Sequence, residues 1–256
     1  MNLLFDIGGT HTRLATSDGE KLLDIKTYAT PQDFDQATLL FEETAKSLLR
    51  SNKLRLLDDQ KIDLAVGGVR GPLDKDKTHL VSNSRLPQWV NKPLKKELEK
   101  AIHAPVCLQN DAALAGLAEA IKGVGRGYKT VGFLTIGTGV GGVRIVDGKI
   151  DEESVTIEPG HSIIIGGKEL EDLISGPAIK ESYGENPNWD EICRNLRLGL
   201  NILIDRWSPD IFILGGGVVN SLPLEKIKDT KSLPIVKASL GDKAGLYGAL
   251  EYLHQT

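Results

Sequence analysis

The sequence predicts an α/β protein built from two similar halves, and three observations carry that expectation. Three short strand-like segments at the N-terminus are followed by alternating helical and strand patterns. The same programme restarts near residue 130. A shift of 129 residues also places Asp6-Ile7-Gly8 on Thr135-Ile136-Gly137 and Asp18-Gly19 on Asp147-Gly148 without a gap. With 256 residues, 40% of them hydrophobic and 26% charged, the composition is that of a protein able to bury a core.

In the first half, Leu3 to Ile7, Thr12 to Thr16 and Leu22 to Tyr28 read as strands, the last two separated by the hairpin signal Asp18-Gly19. From Phe34 to Leu49 the apolar residues Phe34, Ala37, Leu40, Phe41, Ala45, Leu48 and Leu49 recur at helical spacing. Ile62 to Val66 reads as a buried strand, Lys92 to Ile102 as a helix and Pro105 to Gln109 as a further strand. Asn110-Asp111 then precedes the Ala-rich helix former Ala112 to Ile121. In the second half, Thr130 to Ile136, Val140 to Val146 and Lys149 to Thr156 are expected strands, with Asp147-Gly148 as a hairpin turn. Helix Trp189 to Ile204, strands Ile211 to Leu214 and Pro234 to Val236, and helix Lys243 to Leu253 complete it. No Pro/Ser-rich linker separates the halves, so they are expected to abut and form a cleft.

The net charge is −4, from 31 basic and 35 acidic residues without a long single-sign block, which argues against a broad nucleic-acid footprint. The two cysteines, Cys107 and Cys193, are far apart, so spacing encodes neither a disulfide framework nor a four-ligand zinc site. Apolar windows such as Ile211 to Val219 fall well short of the roughly 18 residues of a membrane span, and no basic leader precedes Leu3. A cytoplasmic protein with no membrane role is the expectation.

Two glycine-rich turns stand out, Asp6-Ile7-Gly8-Gly9-Thr10 and Gly137-Thr138-Gly139-Val140-Gly141-Gly142. Glycine lets a backbone approach a ligand closely and turn its N–H groups inward, as phosphate oxygens require. Residues 137–142 satisfy Gly-x-Gly-x-x-Gly, yet they lead into the β-branched run Val143 to Val146 and not into a helix, so a dinucleotide fold is rejected. The Walker pattern is absent. Either loop alone is explained by tight turns; recurrence at equivalent places favours a ligand.

These residues carry a resemblance. Asp6 to Thr10 resembles the phosphate-1 motif of the actin, sugar kinase and Hsp70 ATPase superfamily, and Gly137 to Gly142 its phosphate-2 motif. Leu214-Gly215-Gly216-Gly217 resembles its adenosine motif. Within that superfamily the sequence is most similar to the ROK sugar kinases, of glucokinase type. The likeness continues through Gln109-Asn110-Asp111-Ala112-Ala113, Glu158-Pro159-Gly160-His161, Leu170-Glu171 with Ser175-Gly176, and Ala238-Ser239-Leu240-Gly241. It spans nearly the whole chain in order. The implied fold is a two-lobed actin-like ATPase fold, ribonuclease H-like, with duplicated βββαβαβα units and a central cleft. Its lobes would be 1–110 and 111–256, with the helix at about 243–256 able to pack on the first.

The resemblance implies ATP as donor and Mg²⁺. Asp111 matches the family's catalytic base, although a carboxylate between a strand and a helix is also a good N-cap. Asp6 matches the carboxylate that orients Mg²⁺ through water. Gly8, Gly9, Thr10, Gly137, Thr138 and Gly139 would surround the phosphates, and Gly215, Gly216 and Gly217 the adenosine. Asn110, Asp111, Glu158, His161 and Glu171 match hydroxyl-binding positions for a sugar. Trp89, Trp189 and Trp207 read as packing residues.

The sequence departs from the family pattern in two places. Many members carry a zinc-binding Cys-x-Cys-Gly-x-x-Gly-Cys run after the position of His161. Here Ser162 to Leu170 is shorter and lacks Cys, so no structural zinc is expected and the place of Glu171 in the sugar site is open. In the loop Ser84-Arg85-Leu86-Pro87-Gln88-Trp89, Arg85 stands where members commonly show Asn, which weakens glucose as a specific choice. The expected activity is transfer of the γ-phosphate to a hexose hydroxyl, taken as the 6-hydroxyl. The alternatives are an N-acetylhexosamine kinase and a non-catalytic sugar-responsive regulator. The first strand begins at Leu3, so the helix-turn-helix domain of ROK repressors is not expected. Assembly as a homodimer is left open.

Overall fold

The computed structural model describes residues 1–51, 61–83, 85–227 and 230–256. The chain divides into two units, Met1–Ala115 with Lys243–Thr256, and Gly116–Asp242.

The first unit opens with the antiparallel meander β1 (Asn2–Ile7), β2 (His11–Ser17) and β3 (Leu22–Ala29). Helix α1 (Phe34–Ser51) starts at Asp33, whose carboxylate accepts from the Gln36 amide at 2.8 Å. Its Phe34, Ala37, Phe41, Ala45 and Leu48 are buried, and Phe41 meets the Phe5 ring edge-on with centroids 5.3 Å apart. Strand β4 (Leu64–Val69), helix α2 (Leu94–Ile102), strand β5 (Val106–Asn110) and helix α3 (Asp111–Ile121) follow. Strands β4 and β5 pair parallel, giving the order β3-β2-β1-β4-β5.

The second unit repeats this plan. Strands β6 (Thr130–Ile136), β7 (Val140–Val146) and β8 (Lys149–Ile150) form its meander. Between β8 and the long helix lie α4 (Glu152–Val155), α5 (Pro159–Ser162), β9 (Ile164–Ile165), β10 (Lys168–Glu169), α6 (Glu171–Ile174) and α7 (Gly176–Tyr183). Helix α8 (Trp189–Trp207) and strands β11 (Ile211–Gly215) and β12 (Ile235–Lys237) complete it. The order β12-β11-β6-β7-β8 places the third, second, first, fourth and fifth strands as in the first unit. Each unit has its own apolar core, the first around Phe5 and Phe41, the second around Trp207 and Phe212. Helix α9 (Ala244–Leu253) packs on β1 and β4. No described helix is long and apolar enough to cross a membrane.

Three expectations need correction. The expected strand from Lys149 to Thr156 stops at Ile150, because the acidic run Asp151-Glu152-Glu153 opens α4, where negative charge suits a helix N-terminus. The buried Ser154 hydroxyl then accepts from the Arg144 amide at 2.9 Å, taking the place of a longer ladder. The expected strand at Ile62 to Val66 instead spans Leu64–Val69 and runs through two glycines. Those glycines are what the sheet requires, since a Cβ at Gly67 would collide with the Phe5 ring and carbonyl. Finally, the segment between Thr156 and Trp189, left without elements in the sequence reading, holds α5 to α7 and the β9–β10 hairpin. That hairpin turns on Gly166 and Gly167, both at positive φ (59° and 83°).

Gly67→Ala should therefore destabilise the protein by about 1–3 kcal/mol or more, since the clash involves backbone as well as a ring. Urea unfolding checks it; an unchanged midpoint would mean the sheet yields at this point.

Candidate active site

In the first unit the candidate residues Asp6, Asn110 and Asp111 lie at the C-terminal ends of β1 and β5, with Gly68 of β4 beside them. The turn after β1 is held from beneath: Gly8 N–H donates to the His11 carbonyl (3.0 Å) and Thr30 N–H to the Thr10 carbonyl (2.9 Å). The buried Thr30 hydroxyl donates to the Gly8 carbonyl (2.8 Å) and lies 2.9 Å from the Thr12 hydroxyl. With the carbonyls of Gly8 and Thr10 occupied, the amides of Gly9 and Thr10 have no partner among the described residues. Outward amides of this kind suit an anion. Asp6, two residues before Gly8, pairs in register with Arg13, whose guanidinium lies 3.6 Å from its carboxylate. A Cβ at Gly245, in the first turn of α9, would lie 2.6 Å from Asp6 Cγ, so a glycine there lets the helix start against this carboxylate.

Asp111 is the first residue of α3, yet it is not the cap. Asn110 caps the helix: its Oδ1 accepts from the Ala113 amide (3.1 Å), and its Nδ2 donates to the Gly71 carbonyl (3.2 Å). Asp111 accepts only from the adjacent Ala112 amide (2.8 Å) among the hydrogen bonds seen. A Cβ at Gly68 would lie 3.0 Å from Asp111 Cα, so the glycine of β4 sets how closely α3 starts against the sheet. Burial pushes the Asp111 carboxyl above the usual carboxylate range, while the positive charge of Arg70 pulls it down.

In the second unit the glycine turns that follow β6 and β11 meet each other and the start of α7. Gly137 N–H donates to the Gly139 carbonyl (2.9 Å), and Gly176 N–H, at the start of α7, donates to the Gly137 carbonyl (2.7 Å). Thr138 lies on this turn, between the two bonded glycines. Gly216 sits at φ 89°, and a Cβ there would strike the Ile136 carbonyl, so only glycine fits. A Cβ at Gly137 would lie 4.0 Å from Gly217 N, and one at Gly215 3.5 Å from Ala238 Cβ.

Glu171, the first residue of α6, accepts from the Val140 amide at 2.7 Å and so anchors β7 where it leaves the Gly137–Gly139 turn. Glu158 precedes α5 at φ 46°. His161, exposed on α5, bonds the Glu169 carboxylate through Nδ1 at 2.7 Å, across to the β9–β10 hairpin. That bond raises the His161 pKa above its usual 6.5, against a smaller opposing effect of burial; the charges of Glu171, Glu169 and Glu158 add to it. The histidine thus has three carboxylates in its field.

The ROK family model matches residues 3–195, most of the chain. The chain belongs to the ROK family. The N-acetyl-D-glucosamine kinase of Vibrio atlanticus is 27% identical over 298 residues, covering 96% of this chain and 97% of that protein. The fructokinase of Zymomonas mobilis is 28% identical over 221 residues, covering 70% and 73%. Among solved structures, the ROK hexokinase from Thermus thermophilus superposes with a TM-score of 0.81 at 25% identity, over 99% of this chain and 98% of that one.

Two residues of this ROK chain escape sequence reading. Arg70 follows β4 and is the charge that acts on Asp111. Glu119, on α3 and fully buried, accepts from the amides of Ser239 and Leu240 (2.7 Å each), from the Ser239 hydroxyl (3.0 Å) and from the Val124 amide (3.2 Å). It therefore ties the Ala238-Ser239-Leu240 segment, which abuts Gly215, to the helix. The signal available was a carboxylate on the apolar face of an Ala-rich helix. Of the loop Ser84-Arg85-Leu86-Pro87-Gln88-Trp89, Ser84 lies outside the described residues. Trp89 packs edge-on against Phe34 and Trp207 stacks on Phe212, both in cores; Trp189 packs against the second.

Glu119→Ala should lower the unfolding free energy by about 1–3 kcal/mol, because the partly buried amides of Val124, Ser239 and Leu240 lose their charged acceptor. Thermal unfolding checks it, and a wild-type midpoint would show that water replaces the carboxylate. The His161 bond gives a pH prediction. Its folded pKa exceeds the unfolded value, so its contribution to stability is full below about pH 6.5 and is lost as pH rises through the folded pKa. Imidazole NMR should show a midpoint above 6.5 that falls in Glu169→Gln; an unmoved midpoint would mean that the pair does not form in solution.

Proposed function

We propose that the protein is an ATP-dependent hexose kinase that transfers the γ-phosphate to the 6-hydroxyl of its sugar, with Asp111 as base. The observation that carries this reading is Asp111 itself. It is a partly buried carboxylate whose pKa is held above the usual range, relieved of capping by Asn110, on the same sheet end as a glycine turn whose Gly9 and Thr10 amides have no partner among the described residues.

Phosphoryl transfer asks for positioning and charge stabilisation more than covalent chemistry from the protein. The sugar hydroxyl oxygen forms a bond to the γ-phosphorus while the bond from that phosphorus to the β–γ bridging oxygen breaks. ADP departs with the bond's electrons, and the hydroxyl proton passes to Asp111. A pKa above that of an ordinary carboxylate makes the group a stronger base, provided it is ionised at the working pH.

In the first unit the Gly8, Gly9 and Thr10 turn would receive phosphate oxygens. Asp6 would orient Mg²⁺, whose role is to offset the donor's charge. The donor set fits, since magnesium keeps waters and takes one or two carboxylates alongside substrate phosphates. In the second unit Gly137, Thr138 and Gly139 would bind phosphate, and Gly215, Gly216 and Gly217 the adenosine. Asn110, Glu158, His161 and Glu171 would bond sugar hydroxyls with the lone pairs and hydrogens that their protein contacts leave. The likeness to an N-acetyl-D-glucosamine kinase along nearly the full length supports a second reading, an N-acetylhexosamine as acceptor.

Asp111→Asn should reduce kcat by on the order of 10²- to 10⁴-fold while nucleotide affinity holds. The acid limb of the wild-type kcat/KM profile should fall above the ordinary 3.8 of an aspartate, with activity lost as pH drops through it. Near-normal turnover in the variant would show that Asp111 only shapes the helix start.

A further inference from the structure

Arg70 and Arg85 lie together over the glycine turn of the first unit. A Cβ on Gly9 would be 2.9 Å from Arg85 Cβ and 3.3 Å from Arg70 Cδ, so both stems rest on this glycine. One side chain holds the two arginine-bearing segments in place. Asn83 Nδ2 donates to the Arg70 carbonyl (2.6 Å), and Asn83 Oδ1 accepts from the amides of Arg85 (2.9 Å) and Leu86 (3.0 Å). Leu86 is fully buried and anchors that segment. Neither guanidinium has a carboxylate at ion-pair distance among the described residues. Arg70 feels the charge of Asp111 without bonding it. Two arginine stems are therefore set on one glycine, on segments tied together by Asn83, in the unit that holds the residue proposed to receive the acceptor's proton.

Guanidinium groups match the geometry of carboxylate and phosphate oxygens, and an uncharged hexose offers nothing that needs two of them. Given the kinase reading above, the geometry points to an acceptor sugar that itself carries an anionic oxygen group, a phosphate ester or a carboxylate, received by Arg70 and Arg85. The charge is assigned to the acceptor and not the donor because the segment that carries Arg70 runs against the start of α3: a Cβ at Gly68 would lie 3.0 Å from Asp111 Cα, and the Gly71 carbonyl accepts from Asn110 Nδ2 at 3.2 Å. The donor phosphates already have the Gly9 and Thr10 amides.

The test compares glucose and fructose with glucose 1-phosphate, fructose 1-phosphate and gluconate, each retaining a 6-hydroxyl, in turnover with ATP and Mg²⁺ and in calorimetric binding without nucleotide. At least one anionic sugar should exceed its neutral parent tenfold in kcat/KM, with an advantage that shrinks as salt is raised. Whether a phosphate ester or gluconate wins identifies the group. Arg85→Asn, at an exposed position that should not disturb folding, should remove that advantage with nucleotide affinity unchanged, and Arg70→Gln should act in the same direction. A preference for neutral sugars that Arg85→Asn leaves untouched would overturn the anion site while the kinase reading stands. Loss of ATP affinity in Arg85→Asn, with sugar unaffected, would overturn it in favour of the donor. Binding of an anionic sugar that depends on Arg85, without turnover of any sugar, would support the site and remove the kinase reading. Neither turnover nor binding of any anionic sugar would overturn the site.

Discussion

The close approach of β1, β4 and the start of α3 is the constraint on which the first unit's chemistry depends. In the register of the sheet, Asp6 on β1 stands beside Gly68 on β4, and Gly68 beside Gln109 on β5. Gly67 admits the Phe5 ring and Gly68 admits the Asp111 backbone. Side chains at these two points would push the proposed base away from the turn that follows Asp6. Glycine usually weakens a strand. Here it lets two carboxylates with different proposed tasks, Asp6 and Asp111, stand on one sheet end with the Gly8–Thr10 turn close by.

The second unit solves a related problem with charge. Its glycine turns leave backbone groups to be held, and two carboxylates do so from elsewhere in the unit. Glu171 accepts the Val140 amide, and Glu119 gathers the amides of Ser239 and Leu240 beside Gly215. A buried carboxylate that accepts several N–H groups, as Glu119 does, holds a backbone more firmly than neutral acceptors do. Glu119 acts on a loop and Glu171 on the first residue of β7. The β9–β10 hairpin closes by backbone geometry at Gly166 and Gly167 and by the His161–Glu169 bond, in the segment where many relatives carry a cysteine run.

Much of this was legible in the letters. The meanders, the Asp-Gly hairpins and the 129-residue repeat foretell two sheets of the same strand order, and the two glycine-rich turns lie at equivalent places in them. What was illegible depends on contacts distant in sequence. Glu119 reads as one more helix former because its partners lie 120 residues away. Arg70 reads as a loop charge until Gly9 and Asp111 are seen beside it. The strand expected to Thr156 stops at Ile150 because the acidic run opens α4, and the letters cannot reveal that Ser154 will then satisfy the Arg144 amide. Asn110 and Asp111 show the limit most clearly. Either could cap α3, and only the Asn110–Ala113 hydrogen bond separates their tasks.

The central claim is that the carboxylate at the start of α3 and the glycine turn after β1 serve transfer of a phosphoryl group to a sugar. Phosphorus NMR of the protein with ATP, Mg²⁺ and a panel of neutral and anionic sugars tests it most directly. A new phosphate monoester signal, split by coupling to sugar protons, should grow in step with ADP. ATP left intact with every sugar, or split to ADP and inorganic phosphate with no ester formed, would contradict it.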